Sequence, residues 1–98
     1  SYNRYLGAYL AVSSGDNELV FYVASAPTGP FRTLAKVRTL AATWSLDDSD
    51  TKLTYAGGEL VTLREDCGRV LYASYILPLV NPDGSVRKET RLHRVELQ

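Results

Sequence analysis

The chain has no methionine, one cysteine, one tryptophan and four prolines, and its eleven basic residues are matched by eleven acidic ones. Each scarcity excludes something. The single thiol, Cys67, makes no intrachain disulfide and no cysteine-only metal cage; it reads as a thiol in or near a turn. Balanced charges scattered along the chain lack the electrostatic footprint of a nucleic-acid binder or a polybasic membrane anchor. No unbroken apolar run, Ile76-Leu77-Pro78-Leu79-Val80 included, approaches the roughly 20 residues of a membrane-spanning helix. Gly57-Gly58 is too short for a phosphate loop, and no cofactor motif is present. Ser13-Ser14-Gly15-Asp16 lacks both the order and the histidine partner of a nucleophile turn. The missing methionine and the start at Ser1, with no signal-peptide pattern, lead us to expect a processed or excised piece.

What is present is patterned. With 98 residues and 45% apolar content, the chain suits one small folded domain burying roughly 60–70% of its unfolded surface. Residues 4–13 alternate Tyr5, Gly7, Tyr9 and Ala11 with Leu6, Ala8, Leu10 and Val12, so both faces are apolar, as in a strand covered on two sides. Ser14-Gly15-Asp16-Asn17 signals a turn. Residues 19–26, LVFYVASA, read as a second two-sided strand, ended by Pro27-Thr28-Gly29-Pro30. Residues 31–40 fit a strand or a helix, and the strand is favoured because it extends the preceding hairpin. The polar stretch 45–52, SLDDSDTK, reads as a linker between units 1–44 and 53–98.

The second unit repeats the arrangement. A segment around residues 60–63 reads as its inner strand, followed by a turn at 64–68 with Gly68 placed for positive φ. Residues 70–77, VLYASYIL, are again apolar on both faces. Asn81-Pro82-Asp83-Gly84 is a strong turn, and residues 86–97 carry the charges of a solvent-facing edge strand. Early strands apolar on both faces followed by a charged one describe propeller blades of roughly 40–50 residues. The expected class is all-β: about two antiparallel blades of a β-propeller, completed by another chain or by identical copies. A small sandwich or barrel is the alternative, and it needs at least one regularly polar sheet face. In the propeller reading Leu10, Val12, Phe21, Val23, Leu71 and Tyr75 lie on faces that this chain alone leaves without a neighbour.

Particular residues carry a resemblance. Tyr2-Asn3-Arg4-Tyr5-Leu6-Gly7-Ala8-Tyr9, then a hairpin and Ala24-Ser25-Ala26-Pro27-Thr28-Gly29-Pro30-Phe31, resemble the late blades of five-bladed, arabinanase- and furanosidase-like glycoside-hydrolase propellers. Asp66-Cys67-Gly68-Arg69-Val70-Leu71-Tyr72-Ala73-Ser74-Tyr75 and Arg91-Leu92-His93-Arg94-Val95-Glu96-Leu97 are similar to their closing blade. The resemblance implies the C-terminal segment of a secreted, carbohydrate-active propeller that completes the fold and supplies part of a substrate wall. The alternatives are a non-catalytic, lectin-like module assembling from copies, and a purely structural subunit. Such hydrolases carry their catalytic carboxylates on earlier blades. Ala56-Gly57-Gly58-Glu59-Leu60 also lacks the histidine often found at that point, so the isolated chain is expected to be inactive.

Glycosidic cleavage needs two carboxyl groups roughly 5–9.5 Å apart. Asp47, Asp48 and Asp50 fall in the linker and read as solvated turn carboxylates, as do Asp66 and Asp83. Glu59, after two glycines at an expected inner-strand start, is the one carboxylate expected to face a ligand. The expected substrate wall is Asn3, Arg4, Tyr55 and Glu59, with Tyr2 and Tyr5 nearby for stacking against a sugar. His93 lacks partners for metal or acid–base work and reads as a surface histidine. No metal or cofactor is expected.

Overall fold

The computed structural model describes residues 1–15, 17–43 and 54–98. The expected linker at 45–52, with Asp47, Asp48 and Asp50, lies outside them. Within the described residues the chain is all-β, with two antiparallel sheets. The first runs in sequence order β1 (Tyr2–Asn3), β2 (Ala8–Gly15), β3 (Glu18–Ala24), β4 (Arg32–Arg38); the second runs β5 (Tyr55–Glu59), β6 (Val70–Val80), β7 (Val86–Glu96). Both are up-and-down meanders.

The first long run is not one strand, because a turn divides it. Asn3 accepts the Gly7 N–H at its carbonyl (2.9 Å) and the Leu6 N–H at Oδ1 (3.0 Å), while Gly7 takes the left-handed φ of +63° that closes the turn. After it, β2 pairs with β3 in continuous register from Tyr9↔Ala24 to Gly15↔Glu18. Asn17, at φ 58°, completes that hairpin in the left-handed region asparagine tolerates.

Residues 32–38 form a strand, as expected, but a bulge shifts its register between Phe21 and Tyr22 of β3. The extra residue breaks strict alternation. Leu34 and Val37 therefore both pack on the core, although simple alternation assigns them to opposite faces. In the second sheet the inner strand is Tyr55–Glu59, while Val61–Leu63, expected in that strand, form a 3-10 turn. β6 and β7 pair over their full length, from Val70↔Glu96 to Val80↔Val86. β7 is the charged edge strand expected, with Glu89 between Arg87 and Arg91.

The sheets bury one face each against the other. Leu10, Leu19, Phe21 and Val23 from the first sheet meet Leu71, Ala73, Tyr75 and Leu77 from the second, all between 0 and 4% exposed. Each such large side chain contributes about 1.5–3 kcal/mol on burial. This corrects the expectation that Leu10, Val12, Phe21, Val23, Leu71 and Tyr75 lack a neighbour, because the two units cover one another's faces. Close approach occurs where β5 passes β2. The Gly57 N–H donates to Ser14 Oγ (3.0 Å), and a Cβ on Gly57 would lie 2.7 Å from Ser14 Cβ.

Short polar contacts join the sheets elsewhere. Asn17 accepts the Thr39 N–H at its carbonyl and the Thr54 N–H at Oδ1, both at 2.9 Å. The Leu40 N–H donates to the Tyr75 hydroxyl (3.1 Å), and the Thr43 N–H to the Pro78 carbonyl (3.0 Å). Residues 39–43 are thus stitched across the end of β6.

Candidate functional site

Glu59 is the last residue of β5 rather than an inner-strand start. Its two carboxylate oxygens accept from Arg64 Nε (2.6 Å) and Nη2 (2.8 Å), the bidentate geometry a guanidinium fork favours. Both side chains are nearly sealed from solvent, Glu59 at 6% exposure and Arg64 at 13%. Arg64 also donates to the Tyr2 carbonyl and to Ser1 Oγ (2.7 Å). The 3-10 turn at Val61–Leu63 is what carries the chain back so that Arg64 meets Glu59. The result is a bracket between the end of β5 and the N-terminal strand.

Asn3 lies beside that bracket and is fully buried. Its Nδ2 donates to the Gly68 carbonyl (2.8 Å) and its Oδ1 accepts from Leu6, so both ends of the carboxamide are engaged inside the protein. Gly68 stands so close that a Cβ there would sit 2.6 Å from Asn3 Oδ1. Arg4, in the following turn, is exposed, and among the described residues its guanidinium has no hydrogen-bonding or ionic partner. Tyr55 is half-buried at the opposite end of β5, paired with Ile76. At about 3.3 Å per residue it is roughly 13 Å along the strand from Glu59. Asn3, Arg4 and Glu59 therefore gather around the N-terminal bracket, and Tyr55 stands apart. Arg64 escaped the sequence reading because no spacing rule links it to Glu59; only the turn between them does.

Other ionisable groups are engaged at the surface. Glu65 accepts from the Tyr72 hydroxyl (2.9 Å), and Asp66 pairs with Arg69 (3.5 Å). The side-chain and backbone donors of Ser85 hold the Asp83 carboxyl below the usual aspartate range. Arg87, and then Arg91, do the same for Glu89. Arg94 is raised, first through its contact with Tyr72. His93 is half-buried rather than at the open surface, edge-on to the Tyr75 ring at 5.5 Å, because its odd register on β7 turns it toward the core. Cys67 is exposed in the turn, at φ 57°. Tyr2 and Tyr5 are 49% and 43% exposed, and Tyr2 packs edge-on against Tyr9.

Among the described residues no three His, Cys, Asp or Glu side chains gather as metal ligands, and no helix is long and apolar enough to cross a membrane. Comparison with protein families, curated proteins and solved structures finds no match for the chain.

Proposed function

We propose that the chain is a non-catalytic carbohydrate-binding unit, built as two blade-like meanders of a secreted, carbohydrate-active propeller. One observation carries the non-catalytic half. Glycosidic cleavage requires one carboxyl group to give a proton while a second acts across the scissile bond. Glu59, the one inner-strand carboxylate, has both oxygens held by Arg64. The carbohydrate half, and the extracellular location with it, rests on the resemblance of residues 2–9, 24–31, 66–75 and 91–97 to late propeller blades. Strands following one another in sequence order within each sheet support the blade reading. The test is titration calorimetry with arabino- and galacto-oligosaccharides beside a reducing-sugar assay on the same polymers. Binding without hydrolysis is expected. Released sugar overturns the non-catalytic half, and no binding overturns the carbohydrate half.

A second reading, that the unit completes a ring with another chain or with identical copies, is favoured by shape. The radius of gyration is 14.9 Å, against about 13 Å for a compact chain of this length. Leu92, Val80 and Val86 of the second sheet also remain 41 to 53% exposed. Analytical ultracentrifugation decides: a closed oligomer or a stable heteromeric ring supports this reading, and a monomer at high concentration removes it.

A further inference from the structure

The first sheet turns a second face away from the core, and that face holds an open groove of about 300 Å³. Register fixes its floor. Ser13, Val20 and Lys36 form one row across β2, β3 and β4; Ala11, Tyr22 and Thr33 form the next; Gly15 and Glu18 close one end. Among the described residues, no other side chain or backbone group pairs with the side chains of Ser13, Glu18, Tyr22, Thr33 or Lys36. Tyr22 is flanked across the strands by Ala11 and Thr33, both much smaller than its ring.

This lining suits neither of the plain alternatives. A contact with another sheet would strand Glu18 and Lys36 in an apolar interface, which is costly for unpaired charges. A phosphate or nucleotide site would gather cations in its lining, whereas this lining holds one ammonium, Lys36, and one carboxylate, Glu18, which stands opposite Arg38 in the β3–β4 register. What the groove offers is an acceptor with two oxygens, a three-proton donor, two hydroxyls able to do either, and an aromatic ring. We propose that this groove binds a short stretch of an uncharged saccharide. The Tyr22 ring packs on the C–H face of a sugar. Glu18 accepts from neighbouring sugar hydroxyls, Lys36 donates to sugar oxygens, and Ser13 and Thr33 complete the pattern. The inference rests on the carbohydrate reading above and gives it a place, on a sheet face whose lining includes none of Asn3, Arg4, Tyr55 and Glu59.

The experiment is an amide NMR titration of the intact chain with arabino-, galacto-, xylo- and gluco-oligosaccharides, and separately with inorganic phosphate. Saturable shifts are expected at residues 13–15, 18–22 and 33–36 with at least one oligosaccharide. Gly15→Leu is the blocking variant. Its φ lies outside the left-handed region and a Cβ there meets nothing within 4 Å, so the fold tolerates it while the side chain fills the groove. It should abolish binding, and Glu18→Gln and Lys36→Ala should each weaken it about ten-fold. Unchanged core-ring shifts of Phe21 and Tyr75 confirm that the variants fold. Saccharide binding that maps to Arg4 and Tyr55 and survives Gly15→Leu overturns the groove and leaves the carbohydrate reading standing. No shift with any oligosaccharide overturns both, and saturation of the groove by phosphate alone makes it an anion site and overturns the proposal.

Discussion

The Asn3 carboxamide, at 0% exposure, links the N-terminal turn to the turn before β6 through Leu6 and Gly68. Asn3→Ala leaves the buried Gly68 carbonyl and the part-buried Leu6 N–H unpaired, and we expect a loss of about 2–4 kcal/mol in urea unfolding. The Glu59–Arg64 pair sits next to it. Glu59→Gln leaves a nearly buried guanidinium without its anion. Arg64 keeps the Tyr2 carbonyl and Ser1 Oγ, so the expected loss is about 2–3 kcal/mol, the low side for a broken buried pair. Arg64→Met added to Glu59→Gln should cost less than the two changes summed, as a double-mutant cycle will measure. Asp83 carries the pH-dependent contact. Its carboxyl is held below the ordinary aspartate value by Ser85. That contribution is in full force above the unfolded-state pKa and is lost as pH falls through the lowered folded value. Protection of the Ser85 amide, taken relative to its intrinsic exchange rate at each pH, should therefore fall below the ordinary aspartate range, and Asp83→Asn should remove most of that pH dependence.

At the scale of elements, two adjacent glycines on β5 have different tasks. Gly57 is where the strand passes β2, and an added Cβ would press within 2.7 Å of the Ser14 backbone nitrogen. Backbone cannot swing aside as a flexible side chain does, so Gly57→Ala should cost about 1–3 kcal/mol. A Cβ on Gly58 meets nothing within 4 Å, and Gly58→Ala should stay within about 0.5 kcal/mol of wild type. Thermal unfolding of the two variants side by side checks the contrast. Nothing in the dipeptide Gly57-Gly58 separates them, because the close approach comes from a strand more than forty positions earlier. The bulge in β3–β4 is hidden for a similar reason. The apolar pattern of residues 31–40 marked a strand, but the partner register that places Leu34 and Val37 on one side lies in β3.

For the whole molecule, the core is one cluster shared by the two meanders. Leu19 on β3 and Leu71 on β6 are both 0% exposed within it, while β4 and β7 are the outer edges of their sheets. Hydrogen exchange should follow that arrangement. The amides of β3 and β6 should be slowest, and outward-facing amides of β4 and β7 should exchange first. Comparable protection in β4 and β6 would indicate that β4's edge is covered in solution.

The sequence determined the all-β class, the hairpin turns at Asn17 and Gly84, the charged edge at β7 and the strand nature of residues 32–38. All of these are set by near neighbours in the chain, through alternation, turn chemistry and the placing of charge. Tertiary structure alone decided which faces meet. A strand apolar on both sides does not state which side finds a partner, and here the two units use one face each on the other. It also decided that Glu59 belongs to Arg64, that Asn3 is sealed beneath Gly68, and that Ser13, Glu18, Tyr22 and Lys36 share an open face. Each of these is a juxtaposition across strands, and register between strands is fixed by packing rather than by any one strand's own residues.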